Sequence, residues 1–175
     1  MKTKKAIFMS VIIYIILFLC GCTNDSSNKS SSSVDENMLV SSLSQALNNA
    51  SNIVEDEKIP EYIAYLEEKS TFEVISADNS NDTTINSKIK ITAPDLYSTI
   101  NKIKSEMDTI DENQFDKTIL DELKKASVIV SEEDLQFKLV DGKYQPILTD
   151  SFLDAYYGGI FRLREEWIAS MVEEE

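Results

Sequence analysis

Histidine is absent from this chain. With it go imidazole triads, His-bearing zinc sites and the side chain most often used to carry protons near neutral pH. The two cysteines, Cys20 and Cys22, both stand at the end of one apolar N-terminal run, so residues 23–175 contain no thiol. That part of the chain can form neither a disulfide nor a cysteine metal site. Basic charge is scarce as well: 17 Lys+Arg face 31 Asp+Glu, a net charge of −14. Nucleic acid demands a basic stripe, which such a chain does not offer. Arginine occurs only at 162 and 164. Any catalysis here has to run on Asp, Glu, Lys, Ser or Tyr.

Long hydrophobic runs are limited to one, Ala6 to Cys20, interrupted by polar atoms only at Ser10 and Tyr14. It follows a basic start at Lys2, Lys4 and Lys5, which the positive-inside rule holds on the cytoplasmic side. Below the roughly 20 residues of a comfortable membrane span, the run suits the core of a signal peptide. Its end, Leu19-Cys20-Gly21-Cys22, resembles the lipobox of bacterial lipoproteins. Cys20 does not fit that pattern, because bulky Phe18 and Leu19 precede it, whereas small Gly21 precedes Cys22. The resemblance implies that Cys22 receives a diacylglycerol and becomes the first residue after cleavage, with residues 1–21 discarded. Two acyl chains at ~0.8 kcal/mol per buried methylene anchor a protein stably. The alternative is an uncleaved membrane anchor ending near Cys22, and either way the bulk of the chain lies outside the cell membrane.

Removing residues 1–21 takes three lysines and no acid, leaving 14 basic residues against 31 acidic ones, a charge near −17. Anionic headgroups repel such a surface, so lipid rather than charge has to hold it. From 22 to 33 the lipid-bearing Cys22 leads into TNDSSNKSSSS, which has no apolar residue and reads as a flexible tether reaching roughly 20 Å. One Ser-x-x-Lys match, Ser26 to Lys29, falls in this tether. A second, Ser87 to Lys90, falls on a strand, where alternation sends the two side chains to opposite faces.

Residues 34–175 are one domain's length. Leu39, Leu43, Ala46, Leu47, Ala50 and Ile53 recur at helical spacing behind Asp35, predicting a helix over about 36–54. Pro60, at a first-turn position, opens a short helix through Glu68. Alternation at Phe72 and Val74, then at Ile85, Ser87, Ile89 and Ile91, predicts a hairpin with strands near 71–77 and 83–92 around the turn formers 78–82. Those turn residues lack the glycine and distal glutamate of an EF-hand calcium loop. Pro94-Asp95 starts a helix with the stripe Leu96, Ile100, Ile103, Met107 and Ile110, and Phe115, Ile119, Leu123 and Ala126 form another. Between them Glu106, Asp108, Asp111 and Glu112 read as a solvated loop. Strand alternation returns from Val128 to Val140, and Asp141-Gly142 is a strong hairpin signal. The returning strand, 143–148, carries Pro146 and so belongs at an edge. A last helical region starts at Ser151, breaks at Gly158-Gly159 and ends with Ile160, Leu163, Trp167, Ile168 and Met171.

This order is α+β with an antiparallel sheet. The stretch KLVDGKYQPILTDSFLDAYYGGI, 138–160, together with IKITAPDL, 89–96, resembles nuclear-transport-factor-two-like lipoproteins of low-GC Gram-positive bacteria. That resemblance implies a curved antiparallel sheet wrapped by helices into an open cone. Tyr144 stands where tryptophan is usual, Tyr156-Tyr157 replaces a smaller pair, and a helix follows Gly159. Cone folds take a small apolar ligand in the concavity or pair as homodimers. The function implied is a membrane-anchored, extracytoplasmic, non-catalytic module for a ligand or a protein partner, without a cofactor or metal. Tyr144, Tyr156 and Tyr157 are the candidate pocket residues, with Arg162, and beside it Arg164, to meet an anionic group. Their alternative roles are core edge for the tyrosines and, for the arginines, pairing with Glu165, Glu166 or Asp154. The competing reading is a cone-fold enzyme of isomerase or dehydratase type. Its mark would be a carboxylate deep in the cone within reach of Tyr144 or Tyr97.

Overall fold

A computed structural model describes residues 35–52, 59–104, 106, 110–111 and 114–172. The signal helix of 1–21, Cys22 and the tether lie outside the described residues, as do Ile53, Val54, Met107, Asp108 and Glu112.

The first helix, α1 (Glu36–Asn52), starts where Asp35 Oδ1 accepts the Asn37 N–H at 3.0 Å. Its leucines 39, 43 and 47 share one face and are buried. In α2 (Glu61–Lys69) Pro60 stands just before the helix rather than in its first turn. Ser70 ends that helix, its N–H bonded to Leu66 O and its hydroxyl to Tyr156 O at 2.7 Å.

Four strands follow in meander order: β1 (Thr71–Asn81), β2 (Thr84–Pro94), β3 (Val128–Val140) and β4 (Lys143–Ile147), all antiparallel. The β2–β3 ladder is unbroken from Thr84↔Lys138 to Pro94↔Val128. Along β1 the register shifts at Ile75 and again at Ser80, and bulges of this kind bend and twist an edge strand. The first reversal is later than the turn formers suggest, because Asp78 to Asn81 stay paired with Thr84 to Asn86 and the corner is Asp82-Thr83. Asn81 makes that corner, its Oδ1 accepting both the N–H (3.0 Å) and the hydroxyl (2.9 Å) of Thr83. The second reversal is the expected one, with Asp141 at φ 51° and Gly142 at φ 76°, the left-handed pair that a two-residue hairpin needs.

Helices α3 (Leu96–Ile103) and α4 (Phe115–Leu123) sit between β2 and β3. The α3 helix ends at Ile103, with Lys104 as its cap, instead of running to Ile110; beyond it the Glu106 N–H bonds Ile103 O and the Ile110 N–H bonds Glu106 O. After β4 come α5 (Asp150–Tyr156), capped by the Thr149 hydroxyl, and α6 (Ile160–Val172), the extra C-terminal helix.

The sheet is curved and unclosed, and the fold is α+β, compatible with a cone. Its inner face carries Ile85, Ile89, Ile91 and Ala93 of β2 with Leu135 and Phe137 of β3, each at most 1% exposed. Against these strands lie α2 and α5, while α1 touches both edge strands, β1 and β4. Ser87 is inward and buried, its hydroxyl bonded to Leu135 O, whereas Lys90 is outward. On the outer face Asn86, Lys88, Val128, Val130, Glu132, Asp134, Gln136 and Lys138 are exposed.

Candidate functional site

Tyr156 and Tyr157 come together, and both are core residues, 7% and 3% exposed. Tyr156 stacks on Phe152 at 6.2 Å, meets the edge of Tyr157 at 5.2 Å and tilts against Phe72 at 6.4 Å. Burial, then the charge of Glu67, pushes its hydroxyl pKa up. Tyr157 donates to Glu67 Oε1 at 3.1 Å. Tyr144 is apart from this pair, half-buried on edge strand β4, with its carbonyl accepting the Ser42 hydroxyl of α1. Counting back from the two-residue turn, Tyr144 occupies a position whose main chain points away from β3, so α1 covers part of that open edge.

Arg162 is exposed and its guanidinium is engaged. Nε donates to Asp154 Oδ2 at 2.9 Å, and the group lies 4.8 Å from the centre of the Tyr97 ring. Asp154 also caps α6, with Oδ1 accepting the N–H of Phe161 at 2.8 Å and of Arg162 at 3.1 Å. Arg164 differs: its Nε is buried without a hydrogen-bond partner. A carboxylate does reach Tyr97, whose hydroxyl donates to Glu166 and is thereby raised in pKa. That pair is exposed, on helices α3 and α6.

A small cleft of about 140 Å³ opens between the start of α3 and the end of α4, lined by Asp95, Ser98, Lys102, Glu122, Lys125 and Ser127 among others. Glu122 bridges Lys102 at 2.6 Å and Lys125 at 2.7 Å. Bonds to these two ammonium groups hold its carboxyl down at about 2. Three N–H groups of the first turn of α3 are spoken for: Tyr97 bonds Gly158 O, Ser98 bonds Asp95 Oδ1 and Thr99 bonds Asp95 O. Sequence reading passed over this node, because Lys102 and Glu122 are 20 residues apart; only the i,i+3 pair Glu122–Lys125 left a local trace.

The outer face of the sheet is exposed along much of β2 and β3. Even-numbered side chains of β2 and β3 alternate outward, and across them Glu73 pairs with Lys90 at 2.9 Å, Lys88 approaches Glu132 at 3.8 Å, and Gln136 Nε2 donates to Asn86 Oδ1 at 3.0 Å. Beyond this polar band the same face exposes Val128 (62%) and Val130 (59%), with Ile147 also exposed on β4. Strand alternation would allow polar side chains at these positions. Among the described residues no cluster of His, Cys, Asp or Glu is placed to hold a metal ion, and no helix is long and apolar enough to cross a membrane. Comparison with protein-family models, with curated proteins and with solved structures finds no match.

Proposed function

We propose that the chain is an extracytoplasmic lipoprotein, held at the cell membrane through diacylglycerol on Cys22, whose folded part is a non-catalytic protein-interaction module. The observation that carries the second half is the uncovered outer face of the sheet, with Val128 and Val130 more than half exposed. The inner face supports the same reading from the other side: Phe137, Phe152, Ile89 and Leu135 pack together at 1% exposure or less. Tyr156 and Tyr157 are part of that packing, and Arg162 is occupied by Asp154 and Tyr97.

Photo-crosslinkers placed in turn at Val130, Gln136 and, as a control on α4, Lys117 test the module in living cells. Protein adducts are expected from the sheet positions and not from Lys117. Equal adducts from all three, or none, would sink the reading. The anchor has its own test: Cys22→Ser should abolish labelling by a radioactive fatty acid and release the protein into the medium, and undiminished labelling would exclude the lipobox.

A further inference from the structure

A sheet that does not close leaves main-chain donors and acceptors along its edges, and such an edge is a template for another strand unless something blunts it. The two outermost strands are blunted. Strand β1 shifts register at Ile75 and again at Ser80, while β4 carries Pro146 and gives its Tyr144 carbonyl to Ser42 of α1. A third edge lies inside the strand order. Strand β3 pairs with β2 over its whole length, Val128–Val140, but β4 reaches it only from Gln136 to Val140. The segment 128–134 is therefore an edge as well, with no proline in it and no break in its ladder to β2.

Which groups that edge presents follows from the hairpin. The two-residue turn makes Val140↔Lys143 a hydrogen-bonded pair, so even-numbered residues of β3 direct N–H and C=O to the side of β4, and odd-numbered ones to β2. Two bonds agree: the Leu139 N–H goes to Thr83 O, and Leu135 O accepts from the Ser87 hydroxyl, both on the β2 side. Val128, Val130, Glu132 and Asp134 thus aim their main chains at the open edge, where they bond no other group among the described residues.

The side chains of the same four residues lie on the outer face and are exposed. They fall into two halves, apolar at Val128 and Val130 and acidic at Glu132 and Asp134. Lys88 stands 3.8 Å from Glu132, and Asp134 has no ion pair among the described residues. On the inner side of the segment, Ser131 Oγ is buried without a hydrogen-bond partner. A strand laid antiparallel here, in line with β4, meets Asp134, Glu132, Val130 and Val128 in that order. Opposite charges and paired apolar side chains are the favourable cross-strand neighbours.

We infer that residues 128–134 accept an extended segment of another protein as an added strand antiparallel to β3, its side chains reading basic-x-basic-x-apolar-x-apolar. The inference rests on the reading of this side of the sheet as an interaction surface, and names the occupant and the main-chain bonds that hold it.

The test is fluorescence anisotropy of a labelled Lys-Thr-Lys-Thr-Val-Thr-Val peptide titrated with the full chain in non-ionic detergent. Binding is expected. N-methylation of the second lysine and the first valine, whose N–H groups face β3, should abolish it, whereas N-methylation of the threonines should not. Val130→Pro removes an N–H that faces the open edge and none that bonds β2, so it should weaken binding roughly tenfold or more in a chain still folded by circular dichroism. Glu132→Lys with Asp134→Lys should lose this peptide and gain Glu-Thr-Glu-Thr-Val-Thr-Val, an exchange that only a folded chain can make. No binding, binding indifferent to which amides are methylated, or an unchanged peptide preference in the charge variant would each overturn the inference. Self-association of the chain that Val130→Pro abolishes would give the edge to a second copy and overturn it too. In cells, crosslinks from Gln136 to another protein should disappear with Val130→Pro. Crosslinks that persist would overturn the strand pairing and leave the interaction module standing.

Discussion

Two glycines with positive φ show how much a single Cβ decides here. At Gly158 (φ 63°) a Cβ would lie 2.1 Å from the Pro94 carbonyl oxygen, both atoms fixed by backbone. At Gly142 (φ 76°) it would meet nothing within 4 Å. Gly142→Ala therefore carries only the conformational penalty, about 1 kcal/mol, while Gly158→Ala adds displacement of the β2–α3 corner and should cost about 3 kcal/mol or more. Urea unfolding of the two variants measures the contrast. Glu122 supplies a pH-dependent contribution with a definite sign. Its pKa falls from 4.5 to about 2 on folding, so its stabilisation is complete above pH 4.5 and is lost as pH falls towards 2. Replacing Glu122 by Gln should flatten the acid limb of the stability curve in that window and leave the slope between pH 6 and 8 unchanged. Equal acid limbs in variant and wild type would refute the assignment.

The elements differ in how openly the sequence announces them. The β3–β4 hairpin was legible because Asp141-Gly142 states its turn chemistry locally, and the single inward stripe of β2 was legible from period two alone. The β1–β2 corner was not, since Asp78 to Asn81 are good turn formers that stay extended because their partners in β2 are themselves paired with β3. Tertiary pairing overrode local preference there. Helix α6 begins with a cap that no adjacent residue provides: Asp154 reaches forward across Gly158-Gly159 to two of its N–H groups. Asp154→Ala should cost about 1–2 kcal/mol, as lost caps do, and hydrogen exchange should show residues 160–163 opening first. Asp154→Asn keeps one acceptor and should fall between. Of the candidate pocket residues, Tyr156-Tyr157 announced itself as bulky and amphipathic, but which side of the sheet received it depended on the placement of α5, and that is set by contacts across the whole chain.

For the molecule as a whole, net charge and core act against each other. A chain of −14 repels itself when compact, and the Debye length shrinks from about 30 Å at 0.01 M salt to about 10 Å at 0.1 M. Thermal stability should therefore rise between those salt concentrations, and a flat or falling profile by calorimetry would show that local ion pairs such as Lys90–Glu73 outweigh the global repulsion. The meeting of Gly158 with the β2–α3 corner has a further consequence in time. The Tyr97 N–H has its acceptor at Gly158, and the Ser70 hydroxyl has its own at Tyr156, so both earlier segments are completed by residues made much later. A ribosome that has just released Tyr97 has yet to make the residue that accepts its N–H. Both bonds therefore form only after synthesis has passed Tyr156 and Gly158, whatever has folded before.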